Sequence, residues 1–321
     1  MDFALSTKGQ PLPKKNHEGM VSHFELEAFY LQLVASARSE SIECAVTSGM
    51  ACVALGVALA TSDCDLLVAA CDCQRFLEIL SRSQFRGAPA QYRGTLSPPL
   101  SQNWLSGGWT AHFHWASEAY LDLFAEAPRA DFPWTQDQNG LYVGPLTLAA
   151  MKKTDRERDW PQVTSLGLKL LESGDRRGWL SIYDETLLLE LLDQSDCPPE
   201  MTARRPVLQL AAAKDPRLHA ALIAEQLYWR ELDRLRLATY QTAGKAYCAA
   251  VRSGFAKGHS LLAEHARREQ LADALLPARP MRDLGLEPFL QQAHLRVSSI
   301  IQPEILTFLP DLRSCFQEIC R

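Results

Sequence analysis

Residues 47–68, TSGMACVALGVALATSDCDLLV, constrain this chain more than any other stretch. The short apolar run Cys44-Ala45-Val46-Thr47 is a strand candidate, and Ser48-Gly49 breaks it. Small and apolar residues 50–56 suit a buried helix. Thr61-Ser62 punctuates again, and residues 63–70, DCDLLVAA, read as a core strand opened by acids. Side chains alternate faces along a strand, so Asp63 and Asp65 project to the same side. Two carboxylates one strand-step apart repel, and crowding them is costly unless a cation sits between them. Mg²⁺ suits such a pair, because it binds one or two carboxylates plus substrate phosphates. Upstream, Gly49 lets backbone approach a phosphate, and a helix start offers free N–H groups. A phosphate cradle followed by paired carboxylates describes phosphoryl or nucleotidyl transfer. The plainer alternative has Asp63 capping a turn and Asp65 at a solvated edge.

The rest of the chain divides by texture. Residues 1–21 form a polar tail. Residues 22–175 carry an N-terminal helix, with Ser22 as N-cap and Glu25 three residues on, followed by strands and helices of an α/β unit. Further strands are expected at Trp109 to Trp115 and Ala119 to Phe124, and a short one at Leu141 to Val143. Helices are expected from Leu146 to Lys153 and from about Gln162 to Leu171, around the charged turn 154–159. Residues 176–321 are nearly all helix, punctuated by prolines. The fold class is therefore α+β, a mixed sheet with flanking helices followed by a mainly helical domain.

Charge and composition narrow the function. The formal net charge of −5 argues against a surface built wholly for nucleic acid, although the helical part is mildly basic. No run of 18 apolar residues is present, so a membrane span is not expected. No signal peptide is read at the N-terminus. The nine cysteines are scattered and odd in number, which points to reduced thiols and a cytoplasmic location. Cys71 and Cys73 lack the second ligand pair that a structural zinc site needs.

Residues 42–172 resemble the nucleotidyltransferase superfamily with the minimal, polymerase-beta-like fold. Ser48 and Gly49 match its turn, and Asp63 and Asp65 match its two metal acids. Asp122, in YLDLFAEAP, is the best match to the third carboxylate. The stretch LTLAAMKKTDRERDWPQVTSL is similar to a segment of bacterial AbiEii-like and related nucleotidyltransferases. There Lys152, with Lys153 as neighbour, matches the family's Lys, and Arg156, Arg158 and Asp159 match the rest. The resemblance implies that Asp63, Asp65 and Asp122 hold two Mg²⁺ ions for attack on the alpha-phosphate of a nucleoside triphosphate (NTP). It also implies nucleotide contacts from Ser48, Gly49, Lys152, Arg158 and Asp159, with Asp159 holding a basic side chain in place. Lys and Arg suit triphosphate oxygens, Arg through its two-pronged fork. The acceptor is left open as an RNA end, a protein or a small molecule, and an antitoxin-like partner or phage-defence role is a further implication. The sequence departs from the family at Leu55-Gly56, where His-Gly is usual, and at Leu59-Ala60, where a basic residue is common. Gln162 stands where a second acid often follows. A catalytically silent module that keeps the fold is the rival reading.

Other candidates are weaker. His112 and His114 share a strand face and suit either a metal or hydrogen-bonded packing. Glu118 is an alternative third acid. Trp104, Trp109, Trp115, Trp134 and Trp160 read as packing residues. Arg230, Arg234, Lys245, Arg252 and Lys257 form a possible RNA-facing stripe, set against a solvated helix face with Glu231 and Asp233 interleaved.

Overall fold

A computed structural model describes residues 21–319 except 60, 62–63, 117 and 255–258. Helix α1 (His23–Ser39) opens on Ser22, whose hydroxyl accepts from the Glu25 N–H at 3.1 Å. Strand β1 (Cys44–Thr47) leads into α2 (Ser48–Ala54), and β2 (Cys64–Val68) precedes α3 (Cys73–Arg82). A small hairpin pairs β3 (Gln84–Phe85) with β4 (Ala88–Pro89). Next come β5 (Gln91–Tyr92), α4 (Gln102–Leu105), β6 (Ala111–Trp115) and β7 (Ala119–Phe124). They are followed by β8 (Gln138–Asn139), β9 (Tyr142–Val143), α5 (Pro145–Met151) and α6 (Trp160–Glu172).

Seven strands form one mixed sheet in the order β5-β6-β7-β2-β1-β9-β8. Strand β1 is antiparallel to β2, β2 is parallel to β7, and β7 is antiparallel to β6. Alternation sorts the side chains into two faces. Cys64, Leu66 and Val68 of β2, with Leu121 and Leu123 of β7, join α1 and α3 in one apolar cluster. Leu67 and Ala45 turn to the other face, against α2, α5 and α6. Both faces of the central strands are thus covered, which is why β1 and β2 read as near-continuous apolar runs.

Beyond α6 the chain is helical. Its longest element runs Leu218–Ala243, and after a break at Gly244 a second helix follows, Lys245–Gly254. A Cβ on Gly244 would stand 2.4 Å from Leu96 Cδ1, so this break lets the helices lie against the loop after β5. Trp104, Trp109, Trp160 and Val163 share a core cluster with Trp229, Phe289 and Phe316, so packing runs across residue 175. All five tryptophans singled out in the sequence are buried at 5% exposure or less, as packing residues. Among the described residues no helix is long and apolar enough to cross a membrane.

Candidate active site

The strand registers set a polar row across the second face of the sheet. His112 of β6 is level with Asp122 of β7, Asp122 with Asp65 of β2, and Asp65 with Thr47 of β1. Neighbouring strands lie about 4.8 Å apart, so Asp65 and Asp122 are adjacent carboxylates on one surface. The apolar residues on either side of them in sequence point into the α1–α3 core, which fixes this orientation. Asp63 lies outside the described residues. Glu118 is not level with Asp65; it lies in the turn just before β7 and pairs with Arg86 at 3.5 Å.

Asp122 is not bare. Its Oδ1 accepts from His112 Nδ1 at 2.7 Å and from Arg93 Nη2. Burial pushes this carboxyl upward, but the bonds and charges of His112 and Arg93 outweigh it and hold the pKa below the ordinary value. Arg93 follows β5, whose pairing with β6 brings it beside His112. Nothing in the sequence marks Arg93, because it lies in a stretch rich in Gly, Pro and Ser between weak strands. His114 is two residues from His112 on β6. It shares the face with Tyr120, and burial followed by the nearby Arg93 charge lowers its pKa.

The chain turns sharply from β1 into α2. Ser48 takes a left-handed backbone conformation, φ 53°, which costs about 1–3 kcal/mol in a non-glycine residue. Gly49 is required for a different reason. A Cβ there would sit 2.5 Å from Thr61 Oγ1, so the close approach of the loop before β2 depends on glycine.

Residues from both halves of the sequence pattern meet in one cleft of about 610 Å³. Ser48, Gly49, Thr61 and Asp65 line one side. Lys152, Arg156, Arg158, Asp159 and Gln162, from the α5–α6 turn, line the other. Asp159 is 2% exposed, and its carboxylate organises this turn. Oδ2 accepts from Thr154 Oγ1 at 2.7 Å and pairs with Arg156 Nη2 at 2.8 Å, while Oδ1 lies 3.6 Å from Lys152 Nζ. Its oxygens are thus committed to its neighbours, and it acts on the cleft by placing two cations. Arg158 is exposed at the cleft and pairs with no carboxylate among the described residues. The amide oxygen of Gln162 is buried without a partner among the described residues. The turn is braced from the helical part. Asp233 of the Leu218–Ala243 helix bonds Arg129 at 2.5 Å and accepts from the Asp155 N–H at 3.2 Å.

The oxygen-rich pair Asp65 and Asp122 fits a hard divalent cation in ligand type. Asp122 Oδ1 is engaged by Arg93 and His112, which leaves its second oxygen to face a cation. Among the described residues no group of three or more metal-ligating side chains converges.

Two members of the basic stripe of the helical part are paired with acids. Arg230 pairs with Glu157 at 3.3 Å and Arg234 with Glu231 at 2.5 Å. Lys245 and Arg252 are exposed, and Lys257 lies outside the described residues.

Comparison of the chain with protein-family models, curated proteins and solved structures returned no match.

Proposed function

We propose that this protein is a metal-dependent nucleotidyltransferase that moves a nucleoside monophosphate from an NTP to an acceptor hydroxyl. One observation carries the reading. Ser48, Gly49, Asp65, Lys152 and Arg158, about a hundred residues apart in sequence, line a single cleft, with Asp122 level with Asp65 on the adjoining strand. Mg²⁺ held by Asp65 and Asp122, with Asp63, would neutralise triphosphate charge and polarise the alpha-phosphate. Lys152, Arg156 and Arg158 bind and orient the beta and gamma phosphates, Arg through two parallel N–H bonds. Asp159 positions Lys152 and Arg156. The acceptor oxygen bonds to the alpha-phosphorus as the bond to the bridging oxygen breaks. Pyrophosphate leaves, and the acceptor proton passes to solvent. The acceptor, whether an RNA end, a protein or a small molecule, docks beside the helical part, and the cytoplasm supplies the NTP.

The engagement of Asp122 by Arg93 and His112 favours a second reading, a silent module that binds nucleotide or a partner protein without transfer. Incubation with alpha-labelled NTPs, Mg²⁺ and cell extract separates the two. The proposal expects label on an acceptor with the wild type and at least a roughly 100-fold loss with Asp65→Asn. Mg²⁺-dependent binding without transfer to any acceptor would support the silent module instead.

A further inference from the structure

We propose that a second cavity, floored by Lys153 and Arg205, binds a small organic anion through its carboxylate or phosphate group. The cavity measures about 370 Å³ and lies between the Leu218–Ala243 helix and the segment 310–315. Phe316, fully buried 5.1 Å from Phe289 between ring centroids, pins that segment over it. The volume is at the small end of ligand pockets.

The charge balance inside is incomplete. Arg205 is 2% exposed. Its Nε bonds both oxygens of buried Glu225 at 2.9 and 3.1 Å, and its Nη1 donates to the carbonyls of Trp179 and Ile182. Its Nη2 is buried with no partner among the described residues. Glu225 is thus matched by Arg205 and also accepts from Tyr183 Oη at 2.8 Å. Lys153 has no carboxylate of its own among the described residues. Its Nζ donates to the Leu180 carbonyl at 3.1 Å and faces the rings of Trp229 at 4.8 Å and Tyr183 at 5.7 Å. Burial lowers its pKa to about 8, so the site holds this proton weakly. An oxyanion in the cavity beside Lys153 would supply the negative charge that this lysine lacks, with the Arg205 charge behind it. Trp229 and Leu312 supply apolar wall for an organic body. Arg204 and Arg313, each already paired with acids, give the mouth its cations.

Lys152, the preceding residue, turns to the cleft, so the two sites are separate and are tested separately. Calorimetric titration of the full chain at pH 7 uses inorganic phosphate and propionate as probes. Phosphate is also an expected ligand of the cleft, so every titration is repeated in Arg158→Ala. The proposal predicts one site for at least one probe that survives Arg158→Ala. Lys153→Met should weaken it about tenfold or more, and Arg313→Ala about threefold. Binding of phosphate alone identifies a phosphate ester as the ligand class, and propionate alone a carboxylate. No saturable binding of either probe by folded protein would overturn the proposal. Binding lost in Arg158→Ala and kept in Lys153→Met would do the same. Should Lys153→Met fail to fold, Arg313→Ala decides, and an affinity equal to the wild type there would overturn it.

Discussion

Lys152 and Lys153 are neighbours in the chain, yet they serve opposite environments. Helix α5 ends at Met151, and the two side chains diverge from that point. Lys152 reaches the cleft, where Asp159 lies 3.6 Å away and shares its charge with Arg156. Lys153 enters the helical core, where a carbonyl and two aromatic rings face it and Glu225 is already taken by Arg205. The lesson is that burial alone does not define a cation's role. A buried lysine beside a carboxylate has its charge answered within the fold, whereas one without carries a charge that its surroundings leave unmatched.

The most damaging change on the cavity side is Arg205→Met. It leaves Glu225 buried without its partner and should cost about 3–5 kcal/mol in denaturant unfolding. The mirror test on the cleft side is Gly49→Ala, which forces Thr61 Oγ1 away from a Cβ at 2.5 Å. We expect a loss of about 2 kcal/mol and partly restored stability in Gly49→Ala/Thr61→Ala, which removes Oγ1 but keeps a Cβ at 3.0 Å. A double variant no better than the single one would remove the contact as the reason for glycine.

Lys153→Met should act in the other direction. Because its folded pKa of about 8 lies below the ordinary 10.5, the ammonium is a burden below pH 8 that shrinks between pH 8 and 10.5. The variant should gain about 2 kcal/mol at pH 7, after allowing for the lost aromatic contact. The gain should vanish as the pH approaches 10.5. A loss of stability at pH 7 would mean that Lys153 is adequately paired as it stands. The smallest effect belongs to Asp122. Its lowered pKa brings stability that is present above the ordinary carboxylate range and lost as pH falls through the folded value. Its side chain is about a quarter exposed, so solvent screens the pair, and Asp122→Asn should flatten the acid limb by no more than about 1 kcal/mol.

Much of this arrangement is legible in the sequence. Periodicity locates β1, α2, β2, β6 and β7, because each has an apolar face to bury. Alternation puts Asp65 and Asp122 on one side of their strands. What sequence does not carry is partner choice across the sheet. That Asp122 is shared with Arg93 and His112 depends on β5 pairing with β6, and β5 is only two residues long. Nor does it distinguish Lys152 from Lys153, since the end of α5 alone decides which points where. Nor can helical spacing foresee the close approach of Leu96 to Gly244, where the Leu218–Ala243 helix ends. Asp63, which the same alternation pairs with Asp65, lies outside the described residues.

The decisive measurement is calorimetric titration of the full chain with each NTP in the presence and absence of Mg²⁺, beside Asp65→Asn and the double variant Asp63→Asn/Asp65→Asn. A nucleotide-binding cleft at Asp65 predicts Mg²⁺-dependent binding of at least one NTP by the wild type, lost in the double variant while its melting curve is unchanged. Equal binding by wild type and double variant would contradict it, and so would a folded wild type that binds no NTP.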